Sequence, residues 1–308
     1  MKLNLKNKAK ERKLSTVTPF GGVSDQELLL QFHSRNWAQL SPLRRLLVMQ
    51  EIENRRAKAD GRPALKVFIN PQFPPEILGG HTVLPNGMEC ICLNPAFIQD
   101  SDKLRLFSGA KALNVIMHEG RHAFQYHSVK DGFKYVSEAQ RIDWMSVMGS
   151  LGGKYTSEGL MYWVQSIEMD ARRFARRKMA EVQGMFRSMG IEDPAFNMAL
   201  YRDLTLEKMI IARVRQDMTV EMVDRYETMV LEHLKKTRPE LDLTNLRPFD
   251  HLRFILMHPE ITDPLEMLDR LDRMADEKLG IRAEVKIDQI GGSRLGGLPG
   301  MGRNGPRG

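Results

Sequence analysis

Between residues 103 and 127 the chain runs without a proline, and late in that run stand His118, Glu119, Gly120, Arg121 and His122. Leu113, Ile116, Met117 and Phe124 recur at helical spacing, so the stretch reads as one amphipathic helix. Asp100, Ser101 and Asp102 offer N-cap side chains at its start. On a helix, positions four apart lie on one face, about one turn apart. Both imidazoles therefore turn toward a single point, where they can share a zinc ion. Glu119 reaches the same space without being a ligand, as a base for an attacking water. Gly120 leaves room for a close crossing by another element. The rest of the chain has to supply a third ligand, a wall for the cleft and a donor for developing negative charge.

Three short strands precede the helix. Residues 65–70 read as a strand ended by Pro71. Residues 79–84 and 88–94 flank Pro85-Asn86-Gly87, a hairpin turn signal. An edge strand above such a helix can pair with an extended peptide, although the pattern does not say which strand is the edge. The remainder is helical. Ser24 and Glu27 form a capping-box pair before a short helix. Ser41-Pro42 opens a longer one that runs to about residue 59. Breaks fall at Gly132, 149–153, 190–194, Pro239 and Pro248. A long helix is expected over 156–186 and others over 197–214, 219–236, 250–257 and 264–278, with a last strand at 281–287. The expected class is α+β, mostly helical.

A catalytic zinc takes three protein ligands and keeps one position open. A third histidine six residues after His122 is ruled out, because that position is Ser128 and the glycine such a pattern needs is Gln125. His127 lies on the same helix but points about 140° away from His122. The best candidate is Glu168, with Ala171 and Ala175 along its helical stripe, where small residues allow a second helix to pack close. Glu138 and Asp143 are alternatives. For the oxyanion donor, Tyr162 is favoured, with Tyr155, His127 and Arg121 also available. An outward salt bridge is the default role of Arg121.

The combination of His118-Glu119-x-x-His122 with Glu168-x-x-Ala171-x-x-Phe174-Ala175 resembles the gluzincin branch of zinc metallopeptidases. The likeness is closest to the short zinc peptidases of phages and integrative elements, and covers roughly residues 65–180. It implies a zincin-like fold, a Zn²⁺ held by His118, His122 and Glu168, and Glu119 as general base in peptide-bond hydrolysis. Where the family pattern commonly has an acid after Ala171, this chain has Arg172. An acid to steady a ligand histidine is thus missing there, and Asp170 lies on a different helical face. The implied organisation is a basic flexible N-terminus over 1–20, a zincin-like core over 21–190, a helical extension over 191–290 and a disordered Gly/Arg-rich tail over 291–308. The alternative is a catalytically idle zincin-fold binding or structural protein of a mobile element.

Composition narrows the partners. The net charge of +7 suggests nucleic acid until it is located. Residues 1–13 carry six basic side chains against Glu11, and residues 291–308 carry three arginines and no acid, so the middle of the chain is close to neutral. The tails can make weak contacts with acidic partners or nucleic acid. The expected substrate is a protein or peptide. No apolar run approaches the ~18 residues of a membrane span, and the N-terminus lacks a signal-peptide core. Cys90 and Cys92, two apart on one expected strand, read as small packing residues in a reducing compartment. Together these point to a cytoplasmic location.

Overall fold

A computed structural model describes residues 18–84, 86–98, 108–133, 136–244 and 246–279. The expected last strand at 281–287, most of the two basic tails, and the cap residues Asp100 to Asp102 lie outside the described residues. The chain is mostly helical, with one small sheet. None of its described helices is long and apolar enough to cross a membrane.

Helix α1 (Asp25–Leu30) starts at the capping box, with Ser24 and Glu27 each bonded to the other's backbone. Helix α2 (Ser34–Gln39) was not expected from the pattern. It is fixed by Trp37, which is fully buried and stacks on Phe32 at 5.3 Å between ring centroids. Helix α3 (Pro42–Asp60) starts at Ser41 and Pro42 as expected and ends at Gly61. The flexible N-terminus expected over 1–20 is corrected at its end. Thr18 Oγ1 donates to Glu51 Oε2 at 2.6 Å, and Phe20 is buried in the core.

Strands β1 (Lys66–Ile69), β2 (Gly79–Val83) and β3 (Glu89–Leu93) form a sheet in the order β1-β3-β2. β3 is central, parallel to β1 and antiparallel to β2, with His81 opposite Ile91 and Gly79 opposite Leu93. Side chains alternate across a strand, so Gly79, His81, Glu89, Ile91 and Leu93 share one face. That face lies against helix α4 (Ser108–Asp131), the helix that carries the two histidines. Cys90 and Cys92 occupy the opposite face as free thiols with sulfurs 3.8 Å apart.

Gly120 is approached closely, but by side chains rather than by an element. Arg62 and Glu53, both fully buried, form a two-bond ion pair at 2.5 and 2.9 Å, and Arg62 Nη2 also donates to Gly120 O at 3.2 Å. A Cβ at 120 would stand 3.3 Å from Glu53 Oε2.

After α4 come α5 (Glu138–Val147), α6 (Gly159–Val164), α7 (Ser166–Ser188), α8 (Pro194–Asp217), α9 (Val220–Thr237), α10 (Asp250–Met257) and α11 (Pro264–Lys278). The single helix expected over 156–186 is broken. Gln165 is extended at ψ 142°, and its buried side chain bonds both the N–H and the C=O of Thr156. That pair of bonds closes residues 156–165 into a compact turn and lets α7 start afresh at Ser166.

Two large apolar cores result, with a smaller cluster of Ile142, Met145, Leu234 and Leu246 beside them. One joins the sheet, α1 to α3, the first part of α4 and the later part of α7. The other joins Phe124 of α4 and Ile167 of α7 to α5 and α8 to α11. α4 and α7 are common to both, and they cross where one core gives way to the other. The last helix shares the second core with the start of α7 and is also tied to α7 by charge: Arg173 and Arg177 each bond Asp276 at 2.9 Å, and Arg176 bonds Asp272 at 3.1 Å.

Candidate metal centre

α4 presents His118 and His122 on one face, as i, i+4 spacing requires, with their Nε2 atoms 3.0 Å apart. The break at Gln165 places Glu168 in the first turn of α7. Ala171 and Ala175, both buried, keep α7 close to α4. Glu168 Oε2 lies 3.5 Å from His118 Nε2, and Oε1 lies 3.5 Å from His122 Nε2. Among the described residues this is the one group of three such side chains compact enough to hold a metal ion. A tetrahedral ion with bonds of ~2.0–2.1 Å needs donors about 3.3 Å apart; the imidazole separation and the approach of one Glu168 oxygen to each ring are close to that value.

The hydrogen bonds behind the triad set its protonation. Gln125 is fully buried, and its amide N–H₂ donates to Ile167 O at 3.0 Å and Asp170 Oδ2 at 2.7 Å. Its oxygen is therefore the acceptor that faces His122 Nδ1, at 2.8 Å. Nδ1 therefore carries a proton, and Nε2 faces the triad, its lone pair available to a metal once the ring is neutral. Two nitrogen lone pairs at this separation repel unless a cation or a proton lies between them. Burial disfavours a charged His122, but the neighbouring Glu168 carboxylate outweighs it and pushes the imidazole up to about 9. In the same way burial opposes ionisation of Glu168, while His122 and His118 hold it well below the usual carboxylate range. The site is thus built to concentrate positive charge.

Asp170 enters this arrangement one bond further out. It reaches His122 through Gln125, not directly. It also accepts from Arg121 Nε at 2.7 Å and Nη2 at 3.0 Å, and from Arg173 at 3.3 Å. Burial alone would raise its pKa; Arg121 above all holds it down at about 2. Arg121 is 7% exposed, so its salt bridge faces inward to α7, which corrects the outward position expected for it and removes it as an oxyanion donor. Arg172, at the place where an acid is common, pairs with Glu207 of α8 at 2.8 Å.

Glu119 is buried beside the triad, and its Oε2 accepts the backbone N–H of His81 at 2.9 Å. A cleft of about 370 Å³ opens over the three ligands and Glu119, lined by Gly79, Gly80, His81 and Tyr126, whose ring meets that of His81 at 5.5 Å, and by Tyr155, Tyr162 and Ile167. Tyr155 Oη donates to Glu168 Oε1 at 3.1 Å, and the Tyr155 and Tyr162 rings meet edge to face. Burial, then the Glu168 charge, pushes both phenols upward, so both keep their protons and can donate.

The remaining candidates stand elsewhere. Glu138 is exposed at the start of α5. Asp143 is buried 3.7 Å from Lys278 and lines a separate cavity. His127 lies between Asp131 at 2.6 Å and Glu89 at 2.9 Å, away from the triad. Sequence reasoning missed Gln125 and the His81 backbone. Gln125 is three positions after His122, on the same helical face, and that spacing was the available signal. No family model, curated protein or solved structure matches this chain.

Proposed function

We propose that this chain is a zinc-dependent metallopeptidase of gluzincin-like, zincin-type architecture. The observation that carries the reading is the pairing of a compact His118, His122, Glu168 triad with a carboxylate, Glu119, that shares their cleft without joining them. The donor set of two imidazoles and one carboxylate is that of a catalytic zinc site with an open position. When bound, Zn²⁺ supplies a Lewis acid and brings the pKa of a water toward ~7. Glu119 accepts the proton of the attacking water and returns it to the leaving amine. Tyr155 and Tyr162 have protonated hydroxyls directed over the cleft, where a donor can meet the oxyanion of a hydrolysed amide. β2 lies at the edge of the sheet beside the cleft, where an extended peptide can be aligned.

The test is metal content together with cleavage. The zinc-loaded chain is expected to hold about one ion, lost in His118→Ala and in Glu168→Ala. It is expected to cut members of a random peptide library, read by mass spectrometry. Glu119→Gln is expected to keep the ion and lose cleavage by at least ~100-fold. Zinc uptake without cleavage of any peptide would favour the idle binding protein instead.

A further inference from the structure

Among the described residues β2 is bonded to β3 on one side only. Leu78 O accepts from Asn94 N, and Leu84 N donates to Met88 O, so the even-numbered peptide groups of this segment turn toward β3. In an antiparallel ladder the alternate residues then turn theirs to the free edge. His81 is one of these. Its N–H is taken by no strand; it donates to Glu119 Oε2 at 2.9 Å. This approach depends on Gly79. A Cβ there would lie 2.7 Å from Val115 Cγ1, 3.1 Å from Glu119 Cγ and 3.2 Å from Glu119 Oε1. The far end of the hairpin is pinned to α4 separately, by Lys130 Nζ on Glu89 Oε1 at 3.0 Å and His127 against Glu89 Oε2 at 2.9 Å. The strand is therefore seated on the helix that carries the base, with its outward N–H spent on the base itself.

We infer that the His81 N–H is a displaceable cap on Glu119. In the resting protein it occupies one carboxylate oxygen. An extended peptide that lies along the free edge of β2 offers a main-chain carbonyl to the same N–H, takes it, and releases the carboxylate for its work. One hydrogen bond is exchanged for another, so the step needs no other reactant. The inference rests on the assignment of Glu119 as base under the proposed function. It adds a requirement on the ligand: recognition at this point is of the peptide main chain, through an unmodified carbonyl opposite His81, and not of a side chain. Gly79 is a positioning residue, acting on Glu119 through the seating of β2.

Amide hydrogen exchange on the full chain tests this without any need for activity. In the wild type the His81 amide is expected to be protected. In Glu119→Ala it is expected to exchange at least ~10-fold faster, with Gly80 and Thr82, which face β3, unchanged. Equal His81 exchange in the two proteins would overturn the cap. Gly79→Ala is expected to speed His81 exchange in the same way, and adding Val115→Ala, which removes the closest of the three crowded atoms, to restore part of the protection; unchanged His81 exchange in Gly79→Ala would remove Gly79 from the account. A peptide hydroxamate added to zinc-loaded Glu119→Ala is expected to protect His81 again, and the analogue with the carbonyl opposite His81 reduced to methylene is expected not to. Equal protection by both would overturn the exchange of partners. A chain that takes up no zinc sinks the peptidase reading, while the comparison of wild type with Glu119→Ala still decides the cap.

Discussion

The oxygen of Gln125 accepts the Nδ1 proton of His122 at 2.8 Å, and that one bond decides which ring nitrogen faces Glu168. The amide can play this part because its own N–H₂ is committed to Ile167 O and Asp170. Gln125→Leu keeps the bulk and removes the acceptor. It is expected to weaken zinc binding ~10–100-fold, as loss of a ligand's outer partner commonly does. A competition titration against a chromophoric chelator measures this. Unchanged affinity would mean that His122 is oriented by packing alone.

Asp170 holds the far side of the Gln125 amide and accepts from the side chains of both Arg121 and Gln125. Removing one partner of a buried pair leaves an uncompensated charge behind. Asp170→Ala is therefore expected to destabilise the protein by about 3–5 kcal/mol, measured by urea denaturation. A loss under ~1 kcal/mol would show that water reaches Arg121, as for an exposed pair.

Asp143 gives a pH signature independent of the metal centre. Burial, only partly offset by Lys278, pushes its carboxyl up to about 7 from an ordinary value near 3.8. Between those values the folded protein keeps a proton that the unfolded chain has released. Stability contributed at this residue is thus full at low pH and falls as pH rises through the window. Asp143→Asn removes the titration. Relative to wild type it is expected to gain on the order of 2–4 kcal/mol between pH 4 and pH 8. Parallel denaturation curves at both pH values would contradict the shift.

The two tyrosines separate by what their hydroxyls do. Tyr155 is already bonded to Glu168 at 3.1 Å, so its hydroxyl stands directly beside the candidate ligands. Tyr155→Phe is expected to lower kcat by ~100-fold with little change in KM, and Tyr162→Phe to do less. Steady-state kinetics on one cleaved peptide decides between them. The reverse order would restore Tyr162 as the donor.

Much of this is legible in the sequence. The strand pattern, the caps at Ser24 and Ser41, and the helices from residue 194 onward follow from local periodicity and turn chemistry, which act over a few residues. Glu168 was reachable because small side chains at Ala171 and Ala175 betray close helix packing. The break at Gln165 was not, since it depends on a side chain folding back nine residues to Thr156. Arg121 looked outward because nothing in its own helix announces that Asp170 waits on another. The edge position of β2 is likewise a matter of sheet order, which strand patterns leave open.

The charge ties between α7 and α11 make the end of the described fold unlike its middle. Apolar contacts are untouched by charge screening, but Arg176 with Asp272 and Arg177 with Asp276 are partly open to solvent, where added ions compete for them. Salt therefore acts on this molecule as a selective solvent. It weakens the charged ties of the last helix to α7, while Met267, Leu268 and Leu271 keep that helix seated in the second core.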